Sequence, residues 1–319
     1  MRSVRVARKW QEAEGIWGFE LADPGGGHLP GFSAGAHVDV RVPGGLVRQY
    51  SLCRQVSESG SYEIAVLREP ASRGGSRALC EAVLEGDLLE ISEPRNHFPL
   101  HPVSGGHSLL FAGGIGITPI LCMAERLAAI DASFELHYCS RTRARMAFHD
   151  RLAGAAFASR VAFHFDDGPD YQKLDLPRAL SGAAPHRHLY ICGPAGFLEA
   201  VRRGAAAARW PDSQIHFEYF SPPPDPVAHE AGSFEVVLAS TGRSISVGEN
   251  ESVVDALARI GIDIPVSCQQ GVCGTCLTRI IEGEPDHRDY FLNTEERAAN
   301  DQFLPCCSRA KTKRLVLDL

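Results

Sequence analysis

No stretch of this 319-residue chain approaches the ~20 consecutive apolar residues that a membrane-spanning helix needs, so no bilayer span is expected. Its first residues, MRSVRVARKWQEAEGIWGFEL, lack the apolar core and cleavage pattern of a secretory signal, and the reading is a cytoplasmic protein. A basic surplus is also missing. The formal net charge is −7, and residues 227–319 hold 14 Asp/Glu against 9 Lys/Arg. That balance speaks against a nucleic-acid partner. It suits either a plain solvated surface or docking onto the basic face of another protein. Only one C-x2-C knuckle is present, whereas zinc ribbons show two. The Cys/His pairs of a Rieske centre and the triad of a mononuclear iron site are absent, so oxygen activation is not expected of this chain. Internal repeats are absent too.

What is abundant is cysteine. There are ten, and in a chain read as non-secreted they argue for metal or redox use over disulfides. Cys268, Cys273 and Cys276 give C-x4-C-x2-C, and Cys306 follows after 29 residues. This is the spacing of a plant-type [2Fe–2S] cluster, which moves one electron at a time. Gly271 and Gly274 stand between the ligands, where the backbone must bend tightly and aim N–H groups at sulfur. The bland alternative is a zinc site or a redox-active pair. Cys307 adjoins Cys306; Cys306 is taken as the ligand and Cys307 as packing. Cys53, Cys80, Cys122, Cys139 and Cys192 read mostly as small buried hydrophobes.

Pattern along the chain predicts three domains: 1–102, 103–224 and 225–319. In the first, 38–42, 47–52 and 62–69 read as strands separated by turn residues, which suggests a small antiparallel barrel, with a helix over 78–84. The second alternates: strands at 134–140, 188–194 and 215–220 and after residue 107, with helices over 119–130 and 198–210. That is a parallel α/β sheet of the nucleotide-binding kind. SPPPDPVAHEAGS (221–233) reads as a linker. The last segment opens on a hairpin around Thr241–Gly242, then a helix over 252–261, the cysteine loop, and strands at LTRIIEG and RLVLDL: a small α+β ferredoxin pattern.

Four further motifs carry chemistry. GGIGITP, with Gly113, Gly114, Gly116, Thr118 and Pro119, lies between a strand and a helix, where free N–H groups and the dipole favour a pyrophosphate. Pro119 stands where a Rossmann fingerprint has its third glycine. Cys192, Gly193 and Pro194 make a second turn at the end of a later strand. RQYSL supplies Arg48, Tyr50, Ser51 and Leu52: a cation for phosphate, a ring for a flat heterocycle and a hydroxyl for a ring nitrogen. Arg73, Gly74, Gly75 and Ser76 open a helix and form a phosphate cradle. Whether Arg48 and this cradle meet is not visible in the sequence. Each motif alone is also compatible with an ordinary turn or strand. Arg141, Arg143 and Arg145 follow a strand and either meet a 2′-phosphate or form a solvated basic turn; NADH over NADPH is the expectation.

Taken in order, RQYSL, RGGS, EPRNHFPL, GGIGITP, CGP, HFEYF, CQQGVCGTC, GEPDHRDYFL and PCCSRA resemble the phthalate dioxygenase reductase family over essentially the whole chain. The resemblance implies an FMN-binding β-barrel, an NAD-binding α/β domain and a [2Fe–2S] domain. It implies that Arg48, Tyr50 and Ser51 bind flavin and that Gly74, Gly75 and Ser76 hold its phosphate. Thr118 and Cys192 would face the hydride path, and Phe220 would cover the flavin, although Tyr219 beside it leaves open which ring does so. The implied activity is electron transfer from NADH through FMN and the cluster to the oxygenase component of a Rieske-type aromatic system. A stand-alone flavin reductase without a dedicated oxygenase, and a pure electron carrier, are the alternatives.

Overall fold

The computed structural model describes the chain except residues 55–59, 71, 102–104 and 223–231. The boundaries expected at 102/103 and 224/225, and most of the 221–233 linker, lie outside the described residues. What is described divides into two units, Met1–Phe220 and Ser221–Leu319.

The first unit begins with β1 (Arg2–Ala13), β2 (Ile16–Ala22), β3 (His37–Arg41), β4 (Val47–Ser51), β5 (Tyr62–Leu67), α1 (Gly75–Ala82) and β6 (Leu88–Ile91). The strands are ordered β4-β3-β6-β1-β2-β5, and every pair is antiparallel. A bridge between Leu52 and Ile64, with the Cys53 N–H donating to the Glu63 carbonyl at 2.9 Å, joins the end of β4 to β5 and closes the barrel. Alternation explains the closure. Val4, Val6, Val38, Val40, Ile64 and Val66 point inward and are buried with Phe19, Leu21 and Leu52, each worth roughly 1.5–3 kcal/mol of burial.

Then follow β7 (His107–Gly113), α2 (Ile117–Ala129), β8 (Ser133–Ser140), α3 (His149–Ala153), β9 (Val161–Phe165), α4 (Leu176–Ala179), β10 (Arg187–Gly193), α5 (Ala195–Ala207) and β11 (Ile215–Tyr219). The five strands are parallel, in the order β11-β10-β7-β8-β9. The chain runs outward from β7 to β9, then returns to lay β10 on the other side of β7. That reversal places a crevice at the carboxyl ends of β7 and β10, where open α/β sheets bind ligands. Leu110, Ile117, Ile120, Leu121, Leu136 and Tyr190 form the core here, and Ile16, Cys53 and Ala65 of the barrel belong to the same cluster.

The second unit contains β12 (Phe234–Leu238), β13 (Ser244–Val247), α6 (Val253–Ala258), β14 (Thr278–Glu282), β15 (Pro285–Asp286), α7 (Thr294–Ala299), β16 (Gln302–Phe303), β17 (Arg309–Ala310) and β18 (Arg314–Leu317). Its main sheet is ordered β13-β12-β18-β14-β16 over a core of Val236, Val247, Leu257, Phe303 and Leu315. Gly242 turns the first hairpin at φ 69°. The Ser252 hydroxyl caps α6, and Asn293 with Glu296 forms a capping box on α7. Among the described residues no helix is long and apolar enough to cross a membrane.

Candidate functional site

The barrel brings Arg48 onto the glycine cradle. A methyl group at Gly75 would lie 2.7 Å from the Arg48 Cγ and 2.8 Å from its Nε, so the side chain crosses directly over the start of α1. Gly74 precedes the helix at φ 103°, a conformation that other residues avoid. The first turn of α1 contains no acidic residue, and Arg48 donates its Nη1 to the Val47 carbonyl at 2.7 Å. Ser76 Oγ is within 3.0 Å of Ser72 Oγ, and Ser72 Oγ accepts the Gly74 N–H at 3.1 Å. Arg73 is exposed beside them. A cation, a glycine turn and two hydroxyls at one helix start fit a phosphomonoester. Tyr50 packs against the barrel core, and burial holds its hydroxyl well above the usual tyrosine range. Ser51 is buried at the strand end, whereas the Leu52 side chain lies wholly in the barrel core.

At the crevice the two glycine turns meet backbone to backbone. A methyl group at Gly116 would sit 2.3 Å from the Cys192 carbonyl oxygen and 2.5 Å from the Gly193 nitrogen. One at Gly193 would sit 3.0 Å from the Gly113 backbone. Above this contact is a cavity of about 390 Å3, lined from the sheet side by Gly113, Gly114, Pro194, Cys139 and Arg141, and from the barrel side by Ile16, Leu67 and Glu69. Thr118 is buried in the first turn of α2 and donates its hydroxyl to the Ile115 carbonyl at 3.1 Å, with Pro119 beside it. Cys192 is fully buried, and burial pushes its thiol well up, so it serves as a packing contact and not a nucleophile. Arg141 and Arg145 reach the cavity, while Arg143 pairs with Asp150 at 3.2 Å.

The closing strand separates the two aromatic candidates. The Tyr219 hydroxyl donates to Glu199 Oε1 and accepts from Arg202 at 3.3 Å, which ties that ring to α5. Phe220, one residue on, is 37% exposed and therefore available to a ligand.

In the second unit the cysteine loop bends through Gln269 (φ 56°), Gly271 (φ 73°) and Gly274 (φ 71°). The Cys268 thiol is within hydrogen-bonding reach of Cys273 and Cys306, and it accepts the Gln270 N–H at 3.3 Å. Cys276 is buried beside Leu292 and Leu304, against which Cys306 and Cys307 also pack. The Cys307 thiol lies within hydrogen-bonding reach of Cys306 and also approaches the Leu304 carbonyl at 3.7 Å, but it is not a partner of Cys268. Cys273 and Cys306 about the Cys268 thiol, with Cys276 buried at the end of the same loop, are the donor chemistry of a [2Fe–2S] cluster, and the loop has no room for added bulk: a methyl group at Gly274 would lie 2.3 Å from the Phe291 ring.

Residues 236–311 match the 2Fe-2S iron-sulfur cluster binding domain. The whole chain is similar to a vanillate O-demethylase oxidoreductase from Pseudomonas sp., 53% identical with 96% of each chain covered. It is also 40% identical to the phthalate dioxygenase reductase of Burkholderia cepacia, over 99% of this chain and 97% of that one. The chain belongs to the phthalate dioxygenase reductase family. A solved phthalate dioxygenase reductase, described as a modular structure for electron transfer from pyridine nucleotides to [2Fe–2S], superposes with a TM-score of 0.74 at 40% identity, covering 99% of this chain and 97% of that one. An intact type IV self-sufficient cytochrome P450 monooxygenase superposes with a TM-score of 0.88 at 37% identity; this chain spans only 41% of its length.

Within this family fold Glu218 is a residue that the sequence motifs did not single out. Glu218 pairs in register with Cys192, is half-buried, and has a buried Oε2 without a hydrogen-bond partner. Burial pushes its carboxyl up to about 8. The available signal was an acid in the middle of the otherwise aromatic strand HFEYF. The native state holds a proton that the unfolded chain releases near pH 4.5, so stability falls as pH rises from about 4.5 to 8, by at most about 1.4 kcal/mol per pH unit. In Glu218→Gln the fall in Tm between pH 5.5 and 7.5 should be visibly smaller than in the parent. Superimposable Tm profiles would remove this assignment.

Proposed function

We propose that this chain is the reductase component of a two-protein oxygenase system, passing electrons from NADH through FMN and a [2Fe–2S] cluster to a separate Rieske-type oxygenase. The family relationship extends the proposal to an aromatic O-demethylase of the vanillate type as partner and to a cytoplasmic setting. The observation that carries it is the presence, on one chain, of a phosphate cradle under Arg48, a nucleotide crevice at the β7/β10 reversal, and a cysteine loop that brings the Cys268, Cys273 and Cys306 thiols together. When bound, FMN accepts a hydride's electron pair and releases electrons singly, the form in which a [2Fe–2S] centre carries them.

The chain's own residues bind, orient and shield. Arg48 and the α1 start take up the phosphate charge. Tyr50 and Ser51, at the end of β4, hold the ring system against the barrel. Gly113, Gly114 and Pro194 let a pyrophosphate approach the backbone, and Thr118 and Cys192, both buried, pack beneath the turns on which the nicotinamide rests. Phe220 covers the flavin and yields to the nicotinamide. Cys268, Cys273, Cys276 and Cys306 hold the cluster. The division into 1–102, 103–224 and 225–319 assigns one cofactor to each domain.

The test is anaerobic titration of the purified protein with NADH, followed by visible absorption and EPR, with the acid-released flavin identified by chromatography. One FMN and a rhombic EPR signal that grows with NADH are expected. A cluster that NADH cannot reduce would leave the carrier reading in place. Equal rates with and without an oxygenase, insensitive to salt, would favour the stand-alone reductase. Arg48→Ala should weaken FMN binding about 10- to 100-fold, the loss of one charge-assisted contact worth roughly 1.5–3 kcal/mol, measured by fluorescence titration of the apoprotein.

A further inference from the structure

The segment HRDYFL, residues 287–292, is pressed onto the cysteine loop. The Tyr290 N–H donates to the Gly271 carbonyl at 2.8 Å. A methyl group at Gly271 would lie 2.9 Å from the Asp289 Cα and 2.5 Å from the Cys307 Sγ. Gly271 stands between Cys268 and Cys273, so Asp289 lies directly against the ligand loop.

Asp289 is an unusual residue to place there. Its side chain is fully shielded from solvent, yet it keeps an ion pair. Oδ2 accepts the N–H groups of Phe291 (3.1 Å) and Leu292 (2.8 Å) and lies 3.7 Å from Arg297 Nη2. Arg297 also donates to the Asp289 carbonyl. Oδ1 is buried with no hydrogen-bond partner and lies 3.5 Å from Nδ1 of His287, whose own ring nitrogens are buried without partners. Two backbone donors and a guanidinium favour a negative charge at this position. A shielded charge acts over a few ångströms with little screening, unlike a surface one.

We infer that Asp289 and Arg297 are positioning residues that set the reduction potential of the cluster through opposed charges beside the ligand loop. This rests on the cluster reading above. Reduction adds one electron, and so one negative charge, to the centre. A neighbouring carboxylate opposes that addition and lowers the potential. A neighbouring guanidinium favours it and raises the potential. The pair also pins the loop, but pinning has no sign.

The sign is therefore the test. Full-length holoprotein is titrated electrochemically under EPR, with iron content measured on each variant. Asp289→Asn should shift the cluster midpoint upward and Arg297→Gln downward, with iron content and g-values retained, and the double variant should return toward the parent. Shifts in the same direction, or no shift at full iron content, would overturn the inference. If Asp289→Asn loses its cluster, Arg297→Lys and Arg297→Gln decide: the lysine should keep the parental midpoint, and equal shifts in both would count against a charge effect. Parent protein that binds no iron would defeat the cluster reading itself, an outcome distinct from these.

Discussion

Replacing Cys273 with serine should abolish electron export while leaving the reaction between NADH and flavin intact. Cys273 is 5% exposed, lies against Cys268, and has its sulfur 3.3 Å from the Thr275 hydroxyl. A serine oxygen is a harder, less readily ionised donor that matches neither the length nor the softness of an iron–thiolate bond. Loss of a partner behind a metal ligand typically costs 10–100-fold, so loss of the ligand itself should lower cytochrome c reduction by about a hundredfold or more. Ferricyanide, which takes electrons from the flavin directly, should be reduced within about twofold of the parental rate, a difference of only ~0.4 kcal/mol. Cys306→Ser should behave like Cys273→Ser, and Cys307→Ser like the parent, because Cys306 and not Cys307 reaches the Cys268 thiol. Full cytochrome c reduction by the Cys273 variant would defeat the scheme.

Gly116→Ala should cripple NADH use even though it adds a single methyl group. The added carbon would stand 2.3 Å from the Cys192 oxygen and 2.4 Å from its carbonyl carbon. Both are backbone atoms, so no rotamer change relieves the clash, and β7 and β10 must move apart. Overpacking of this kind costs about 1–3 kcal/mol and sometimes more. The functional cost is larger, since a displacement of about 1 Å near the reacting atoms lowers rates by about a hundredfold. NADH-dependent ferricyanide reduction should therefore fall by about that factor while the purified protein keeps its flavin. Gly86→Ala is the control. Gly86 has φ 92° but nothing within 4 Å of its added carbon and lines no part of the cavity, so only the backbone cost of about 1–2 kcal/mol applies. The two variants are compared by steady-state kinetics and Tm; equal behaviour would mean that the crossing is not what positions the nucleotide.

The fold was legible wherever its period was strong or its punctuation chemical. The strands at 38–42 and 134–140, the hairpin at Thr241–Gly242 and the helix behind Pro119 appear within a few residues of expectation. β1 and β2 went unread because Arg5, Arg8 and Lys9 interrupt the apolar positions, although Val4 and Val6 alternate inward. The helix expected over 78–84 spans Gly75–Ala82, opened by the Gly74, Gly75 and Ser76 that were read as a phosphate cradle at a helix start. In the sites, single motifs were readable but their meetings were not. Arg48 reaches the cradle across the closed barrel, and GGIG reaches CGP across the sheet, contacts that spacing does not encode. Glu218 and Asp289 were missed for a related reason. Their importance lies in being buried, and burial of a charged residue is a property of the fold and not of its neighbours in sequence.

The backbone crossing of Gly116 with Cys192 has a consequence for how the protein comes into being. Its two halves are separated along the chain by all of β8 and β9 and their connections. Domains emerge from the ribosome N-terminus first, and a long loop must be closed before such a contact is made. The barrel strands β1 to β6 are complete early and have all their partners within the first 91 residues. The glycine-rich loop after β7 has to wait. A nascent chain paused between α2 and β10 already displays GGIGITP and the whole flavin cradle, yet lacks the Cys192 turn that completes the crevice, so flavin capture should precede nucleotide capture during synthesis.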